Sequence, residues 1–228
     1  MPSEFPGRPQ LLKGALVVYE SHTPGAAAKV IPFQYNPEQV SRGLESQFDS
    51  SATGSGSPGE AQEDVLRVAG PPRETVNLTI ILNAADLLEE PEKNQTIVEN
   101  GLHPVLATLE MLLYPTSFQV LQNQELADRG EVQLNPADLP LTLLVWGQSR
   151  VVPVLITNFS VTEENFDPKL NPIQAKVELG LRVLTYMDLP MESAGRNLCI
   201  AYQEQKENLA NQYQAGDGAD QISGLLPS

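Results

Sequence analysis

The chain has 228 residues, of which 41% are hydrophobic and 19% are charged, a composition typical of a globular protein with a sizeable core. Its formal net charge of −15 disfavours nucleic acid and anionic membrane surfaces as partners, because both need clustered Lys and Arg. The excess of carboxylates either keeps the protein soluble or has an electrostatic role, and the sequence leaves both open. Cys199 is the only cysteine, which excludes an intrachain disulfide and favours folding in the cytoplasm.

The sequence also bears on export and membrane contact. The N-terminal residues lack the basic and apolar regions of a signal peptide, and no apolar run reaches the roughly 18 residues that span a bilayer. We therefore expect no direct insertion into a membrane. If the protein leaves the cell, it needs a route other than ordinary secretion.

Two apolar segments near the N-terminus predict a β-hairpin. Residues 14–20 and 29–35 are rich in β-branched and apolar side chains, and the turn-forming residues 21–28 separate them. Pro32 cannot donate a hydrogen bond to a neighbouring strand, so it predicts an edge position or an irregularity. Further along, residues 75–82 alternate apolar and polar side chains and predict a strand with one buried face.

The middle of the chain predicts one loop and one helix. Residues 46–63 are rich in Ser, Gly, Pro and acids and predict a long flexible loop. The segment 98–113 has apolar residues spaced by three and four, and predicts the single core helix, packed on a sheet face. Pro104 lies inside this pattern, so either the helix begins near Leu102 with proline in its first turn or the segment is kinked.

Three more strands are predicted in the C-terminal half. Residues 141–147 form a short apolar run typical of a buried strand. Residues 151–163 and 173–186 predict two long antiparallel strands joined through 166–172, whose prolines and asparagine favour a turn. In the second long strand, apolar and polar side chains alternate, which leaves one dry face and one polar face.

Apolar residues become sparse after Pro190. We therefore predict one domain over residues 1–190, with the loop described above as an insertion, and a C-terminal tail over 191–228. Within the tail, residues 196–213 favour a polar helix and 216–228 favour an irregular end. The expected fold class is α+β, mainly β with one packed α-helix.

The sequence carries no constellation typical of a catalytic, cofactor or metal site. His22 and His103 have no second ligand at zinc spacing, and His103 is typical of a helix start. There is no nucleophile elbow, phosphate-binding loop or dinucleotide fingerprint. Cys199 lies in a weakly apolar tail, and acidic pairs such as Glu89 and Glu90 show no sign of burial. We therefore expect no catalytic residue, cofactor or metal, and hence a protein that is not an enzyme.

Two stretches of the sequence, residues 13–44 and 141–185, carry a family resemblance over about a third of the chain. The motif residues are Phe33, Tyr35, Asn36 and Pro37 in the first stretch and Trp146, Gly147, Phe159, Phe166, Pro172 and Ala175 in the second. In their order and spacing they resemble the tube-protein domain at the baseplate of contractile injection systems. Longer members of that family carry a C-terminal LysM module.

The resemblance implies a phage tail-tube-like fold, a β-barrel or sandwich with one packed helix, whose copies join edge to edge into a homohexameric ring. The ring would act as a tube initiator or adaptor, with the tube protein, the spike hub and other baseplate proteins as partners. Such phage-tail-like particles assemble in the cytoplasm and are then released by lysis or anchored in the cell. Nothing after Pro190 resembles a LysM module, so the role of that module does not carry over.

The alternative hypothesis is a soluble β-rich module that binds a protein partner through the acidic loop 46–63 and the tail. The alternating strand 173–186 suits a sheet that lines a water-filled channel, and it equally suits a soluble sandwich. A size measurement separates the two, since a stable monomer that never joins tube or spike proteins favours the binding module.

Overall fold

The structure, a computed structural model, describes residues 12–19, 28–48, 68–130 and 139–213. The strands in these ranges are β1 (Ala15–Tyr19), β2 (Ala28–Pro32), β3 (Val40–Phe48), β4 (Val68–Asn83), β5 (Leu141–Val145), β6 (Val151–Phe166) and β7 (Pro172–Val183). The helices are α1 (Ala85–Leu88), α2 (Gln95–Asn100), α3 (His103–Glu110), α4 (Ser117–Asp128) and α5 (Ala194–Asn211).

The described strands form a single antiparallel sheet in the order β2-β1-β5-β6-β7-β4-β3. The sheet is open, and β2 and β3 lie at its two edges. A mainly β fold of the α+β class is thereby confirmed. The sequence predicted one packed core helix and one tail helix, whereas the described ranges contain five helices.

The predicted N-terminal hairpin is present, and Pro32 lies where the sequence placed it. β1 and β2 pair antiparallel, and β2 has no other partner strand in the described part of the chain. The Phe33 N–H donates to Gly14 O over 2.8 Å. Backbone groups alternate sides along a strand, so Pro32, one residue earlier, faces away from β1, on the side where no described strand pairs with β2.

The core lies on one face of the long central strands. β4 and β7 pair so that Leu78 lies opposite Leu179 and Ile80 lies opposite Val177, and all four side chains are buried. Because successive side chains of a strand point to opposite faces, their neighbours lie on the other, polar face. Helix α3 closes the core from outside the sheet with Leu102 at its start and Leu106 and Leu109 along it.

The apolar pattern over 98–113 belongs to two helices rather than one. α2 ends at Asn100, Gly101 has φ +55° and α3 begins at His103 with Pro104 in its first turn. This outcome matches the alternative in which proline starts the helix, because the first turn leaves its N–H positions unbonded in any case. Val98 lies on α2 and is exposed, so it is not part of the core stripe.

Gly101 holds the break between these helices in a conformation that only glycine adopts easily. A Cβ at this position would lie 2.5 Å from Pro172 O and 2.8 Å from the Asn171 Cβ. We expect Gly101→Ala to lower the free energy of unfolding by about 2 kcal/mol, measured by urea denaturation. Gly130 is the matched control, since its φ is +76° but no atom lies within 4 Å of its Cβ position. Equal losses for the two variants would contradict the role of the close contact.

Two further expectations need correction or lie outside the described residues. Residues 46–48, predicted to begin the loop, are the end of β3, a strand that the sequence reading missed altogether. The remainder of the predicted loop and the predicted irregular end, 216–228, are outside the described residues. The predicted tail helix is confirmed as α5, which packs against β6.

None of the described helices is long and apolar enough to cross a membrane.

Candidate functional site

A buried carboxylate joins α5 to the sheet. Glu74 lies in β4 with only 6% of its side chain exposed, in phase with the apolar residues of the core face. Its Oε1 accepts a hydrogen bond from Arg42 of β3 and lies 2.7 Å from Arg42 Nη2. Its Oε2 lies 2.8 Å from Nζ of Lys206, and the Tyr202 hydroxyl donates to Oε1 over 3.2 Å. These four side chains, here called the Glu74 cluster, connect the edge strand, the sheet and the C-terminal helix.

The charge state of Glu74 depends on its partners. Burial by itself raises the pKa of a carboxyl, since it disfavours the charged form. In this protein the hydrogen bonds and positive charges of Lys206 and Arg42 outweigh burial, and the pKa of Glu74 is lowered from its ordinary value of 4.5. The carboxylate is therefore ionised at neutral pH and carries two cationic partners.

A groove of about 700 Å³ opens beside the Glu74 cluster. Its walls are the first residues of β4, the segment after β7 and one side of α5, and most of its lining is apolar. Three apolar side chains at its rim, Leu44, Val68 and Met187, are largely exposed. A volume of this size falls in the range of ligand and peptide sites in proteins.

Helix α5 is fixed against the segment that follows β7. Arg196 Nη1 donates to Tyr186 O, and the Cys199 thiol donates to Leu184 O over 3.1 Å. Burial and the nearby charge of Asp188 raise the pKa of Cys199 to about 11. The thiol therefore stays protonated at neutral pH, which makes it a poor nucleophile.

The polar face of the central strands is exposed. Asn77 of β4, Glu178 of β7 and Ser160 of β6 all lie on it and are accessible to water. Gly180 lies between the Asn77 and Asn158 side chains, and a Cβ there would come within 3.0 Å of the Asn158 Cβ. This face therefore presents amides, hydroxyls and charges along three adjacent strands.

No strand in the described ranges pairs with the outer side of β3, where a row of its backbone groups lies. The Ala84 N–H donates to Ile173 O, on the β7 side of β4. Every second residue of β4 bonds to β7 along this regular ladder. The backbone N–H and C=O of Glu74, ten residues before Ala84, therefore also point to β7 and not to β3. Its cross-strand neighbour Leu44 therefore directs its own N–H and C=O away from β4, towards the open edge. Such an edge is a template for pairing with another strand.

The turn between β6 and β7 is braced. Asp167 Oδ1 accepts from the Lys169 N–H over 2.7 Å and from the Asn171 N–H over 2.8 Å. These bonds, led by the one from Asn171, lower the pKa of Asp167. Leu170 has φ +66° and is largely exposed at this turn. Because a bulky residue rarely adopts this conformation, the turn presents an apolar side chain to solvent at some cost in strain.

Helix α4 projects from the core. None of its twelve described residues is buried, and Phe118 and Leu121 are largely exposed. Its N-terminus has a full capping box, in which the Thr116 hydroxyl accepts from the Gln119 N–H and the Gln119 side chain accepts from the Thr116 N–H. Local capping therefore supports this helix in place of core packing.

The structure brings together part of the first motif and the start of the second. Phe33 is 1% exposed and its ring centroid lies 6.4 Å from that of Trp146. Asn36 Oδ1 accepts from the Gly14 N–H over 2.8 Å, which ties the residues after β2 to the start of β1. Tyr35 is partly exposed and Pro37 is half-buried in the connection to β3.

The other motif residues lie along β5, β6 and β7 and do not converge on one point. Gly147 forms the turn after β5 with φ +73°, and Phe159 packs half-buried against the core. Phe166 is exposed at the end of β6. Pro172 starts β7, where its carbonyl accepts from the Leu102 N–H, and Ala175 is fully buried. These residues occupy core positions, turns and strand ends of the sheet, and they do not form a common binding or catalytic site.

Sequence reasoning missed the Glu74 cluster, although one signal for it was present. The alternation over 75–82 places Val76 and Leu78 on the buried face, and one more step back places Glu74 there too. A carboxylate in phase with core residues predicts a buried ion pair. The partners could not be named, because Lys206 lies 132 positions away in the sequence.

Within the described ranges, no group of three or more His, Cys, Asp and Glu side chains is placed to hold a metal ion. A scan of the sequence against protein-family models finds no match. A search of curated proteins finds no match either.

Proposed function

We propose that this protein is a structural ring component of a contractile injection system, placed as tube initiator or adaptor between the spike hub and the inner tube. The observation that carries the proposal is the central part of the sheet, where β4, β7 and β6 are buried on one face and polar on the other. A ring that surrounds a water-filled channel needs a sheet with this division. The motif residues resembling the tube-protein family give the proposal its specific form, a tail-tube-like fold.

The outer edge of β3, which pairs with no described strand, supports the same proposal. A strand edge with unpaired N–H and C=O groups gains hydrogen bonds when it docks on another strand. Head-to-tail docking of identical copies closes into a ring when the rotation between neighbours allows it. The ring is expected to be a homohexamer, with tube, spike hub and baseplate proteins above and below it and no catalytic role.

The proposal predicts that removal of one backbone donor at this edge prevents ring formation. Leu44→Pro deletes an N–H that faces outward while leaving the bonds to β4 intact, which an edge strand tolerates. Electron microscopy of the full chain, alone and mixed with the tube protein of the particle, should show rings with a central channel. We expect Leu44→Pro to reduce their number at least tenfold.

The control is Leu44→Ala, which removes the side chain and keeps the N–H. It should form rings as the unmodified chain does, and circular dichroism should show that both variants are folded. Rings that survive Leu44→Pro would exclude this edge as the contact. If sedimentation shows the full chain to be a monomer at every concentration, with or without tube protein, the ring proposal fails and a soluble binding module is the better description.

A further inference from the structure

The groove beside the Glu74 cluster is lined mainly by apolar groups and has exposed apolar side chains at its rim. It lies where β4 begins and β7 ends, under one side of α5, and it is open to solvent. Leu44, Val68 and Met187 expose more than half of their surface at its rim. Exposed apolar area of this kind usually marks a contact with another segment or molecule.

We propose that residues 222–226 at the C-terminal end of this chain dock in that groove. This inference is independent of ring formation. Residues 214–228 lie outside the described residues, and in the sequence they are polar or small except for Ile222, Leu225 and Leu226, with one proline following. These three side chains match a groove lined mainly by apolar groups, since burying each one removes apolar surface from water on both sides.

The length of the connecting chain allows this contact. The described chain ends at Tyr213, two residues after α5, and α5 itself forms one wall of the groove. Lys206 lies about 8 Å along the helix axis from the end of α5. The roughly nine residues from Tyr213 to Ile222 span up to about 30 Å when extended, so the segment reaches the groove from its own helix.

Charge complementarity also favours residues 222–226 as the segment that docks in the groove. Glu74 carries one negative charge and its partners Arg42 and Lys206 carry two positive ones, so the cluster has a surplus of one positive charge. Both cationic side chains are partly exposed. The segment supplies two carboxylates, Asp217 and Asp220, just before its apolar residues. An acidic stretch followed by an apolar one complements a cationic cluster beside an apolar groove.

Covalent linkage gives the segment an advantage over free partners. A short connection corresponds to an effective concentration on the order of millimolar, so even a weak intrinsic affinity keeps the groove occupied. Residues 49–67, which connect β3 to β4 in the sequence, suit the groove less well, because Val65 and Leu66 are the only large apolar residues in that range.

A photoreactive amino acid in place of Met187 tests the proposal in the full chain. Met187 lies at the rim and its side chain is 66% exposed, so the replacement reports on whatever covers the groove. After irradiation, mass spectrometry should find the main crosslink within residues 222–226 of the same molecule. The double variant Leu225→Asp/Leu226→Asp should lower that yield at least tenfold, because two charges cannot be buried against apolar walls.

The matched control is Gln221→Asp/Ser228→Asp, which adds the same two charges outside residues 222–226 and keeps the apolar residues, and its crosslink yield should stay within twofold of the parent. A main crosslink to residues 49–67, to a second molecule, or to no other part of the protein would overturn the proposal. So would an unchanged yield in the Leu225 and Leu226 variant. Ring formation is measured separately by electron microscopy, so a failure of either proposal leaves the other testable.

Discussion

Glu74→Gln is expected to lower the free energy of unfolding by about 3 kcal/mol, measured by urea denaturation at pH 7. The change removes the negative charge that compensates Arg42 and Lys206, and breaking a buried ion pair on one side costs about 3–5 kcal/mol. The lower end of that range applies here, because the two cations are 31% and 40% exposed and water partly screens them. α5 should also lose protection in hydrogen exchange, since two of its side chains bind Glu74.

The control for this variant is Glu90→Gln. Glu90 pairs with Lys93 over 2.8 Å, but both side chains are mostly exposed. An exposed pair of this kind contributes little, so the change in unfolding free energy should stay within about 0.5 kcal/mol. Equal effects of the two substitutions would show that burial of Glu74 does not matter to stability.

The difference in stability between the parent protein and the Glu74→Gln variant should depend on pH, and the pKa of Glu74 gives the sign of this dependence. The pKa of Glu74 is lower in the folded protein than its ordinary value of 4.5. A group with a depressed folded pKa contributes stability above its unfolded pKa and loses it as the pH falls through the folded value. The stability difference between the parent and Glu74→Gln should therefore be constant above about pH 5 and shrink on acidification below pH 4.5. A difference that grows in acid would contradict the lowered pKa.

Phe33→Ala should cost about 3–5 kcal/mol of unfolding free energy, the range for deleting a large aromatic side chain from a core. Phe33 is almost fully buried, it contacts the Trp146 ring, and a Cβ added at Gly14 would lie 2.8 Å from both rings. Because the neighbouring residues are packed this closely, they can move little to fill the cavity that Phe33→Ala creates. Trp146 is the only tryptophan, so its fluorescence should shift to longer wavelength as water reaches the ring.

Two further variants make the Phe33 measurement specific. Phe33→Leu fills most of the space and should cost about 1–2 kcal/mol. Phe118→Ala removes the same side chain from α4, where it is largely exposed, and should change the unfolding free energy by less than about 0.5 kcal/mol. If Phe33→Ala were no more damaging than Phe118→Ala, Phe33 would not be a core residue.

The strands with regular alternation could be predicted because their pattern depends only on near neighbours in the chain. β7 was predicted within a few residues, and β6, predicted over 151–163, runs over Val151–Phe166. β3 was missed because it is an edge strand. Its residues 41–46 are all exposed, and Arg42 and Ser46 interrupt the apolar face that Val40 and Leu44 would otherwise form, so the sequence shows no clear alternation. Its strand conformation depends on the ladder with β4, which is a tertiary contact.

By itself, the sequence determined the class of the fold and the antiparallel long strands, and it narrowed Pro32 to an edge or an irregularity and Pro104 to a helix start or a kink. These follow from the period of the apolar residues and from the missing N–H of proline, both of which are local properties. Only the tertiary structure decided that α5 packs back on the sheet and that Glu74 is buried between Arg42 and Lys206. Ion pairs and grooves form between segments far apart in the chain, and the order in which strands neighbour one another decides which side chains meet.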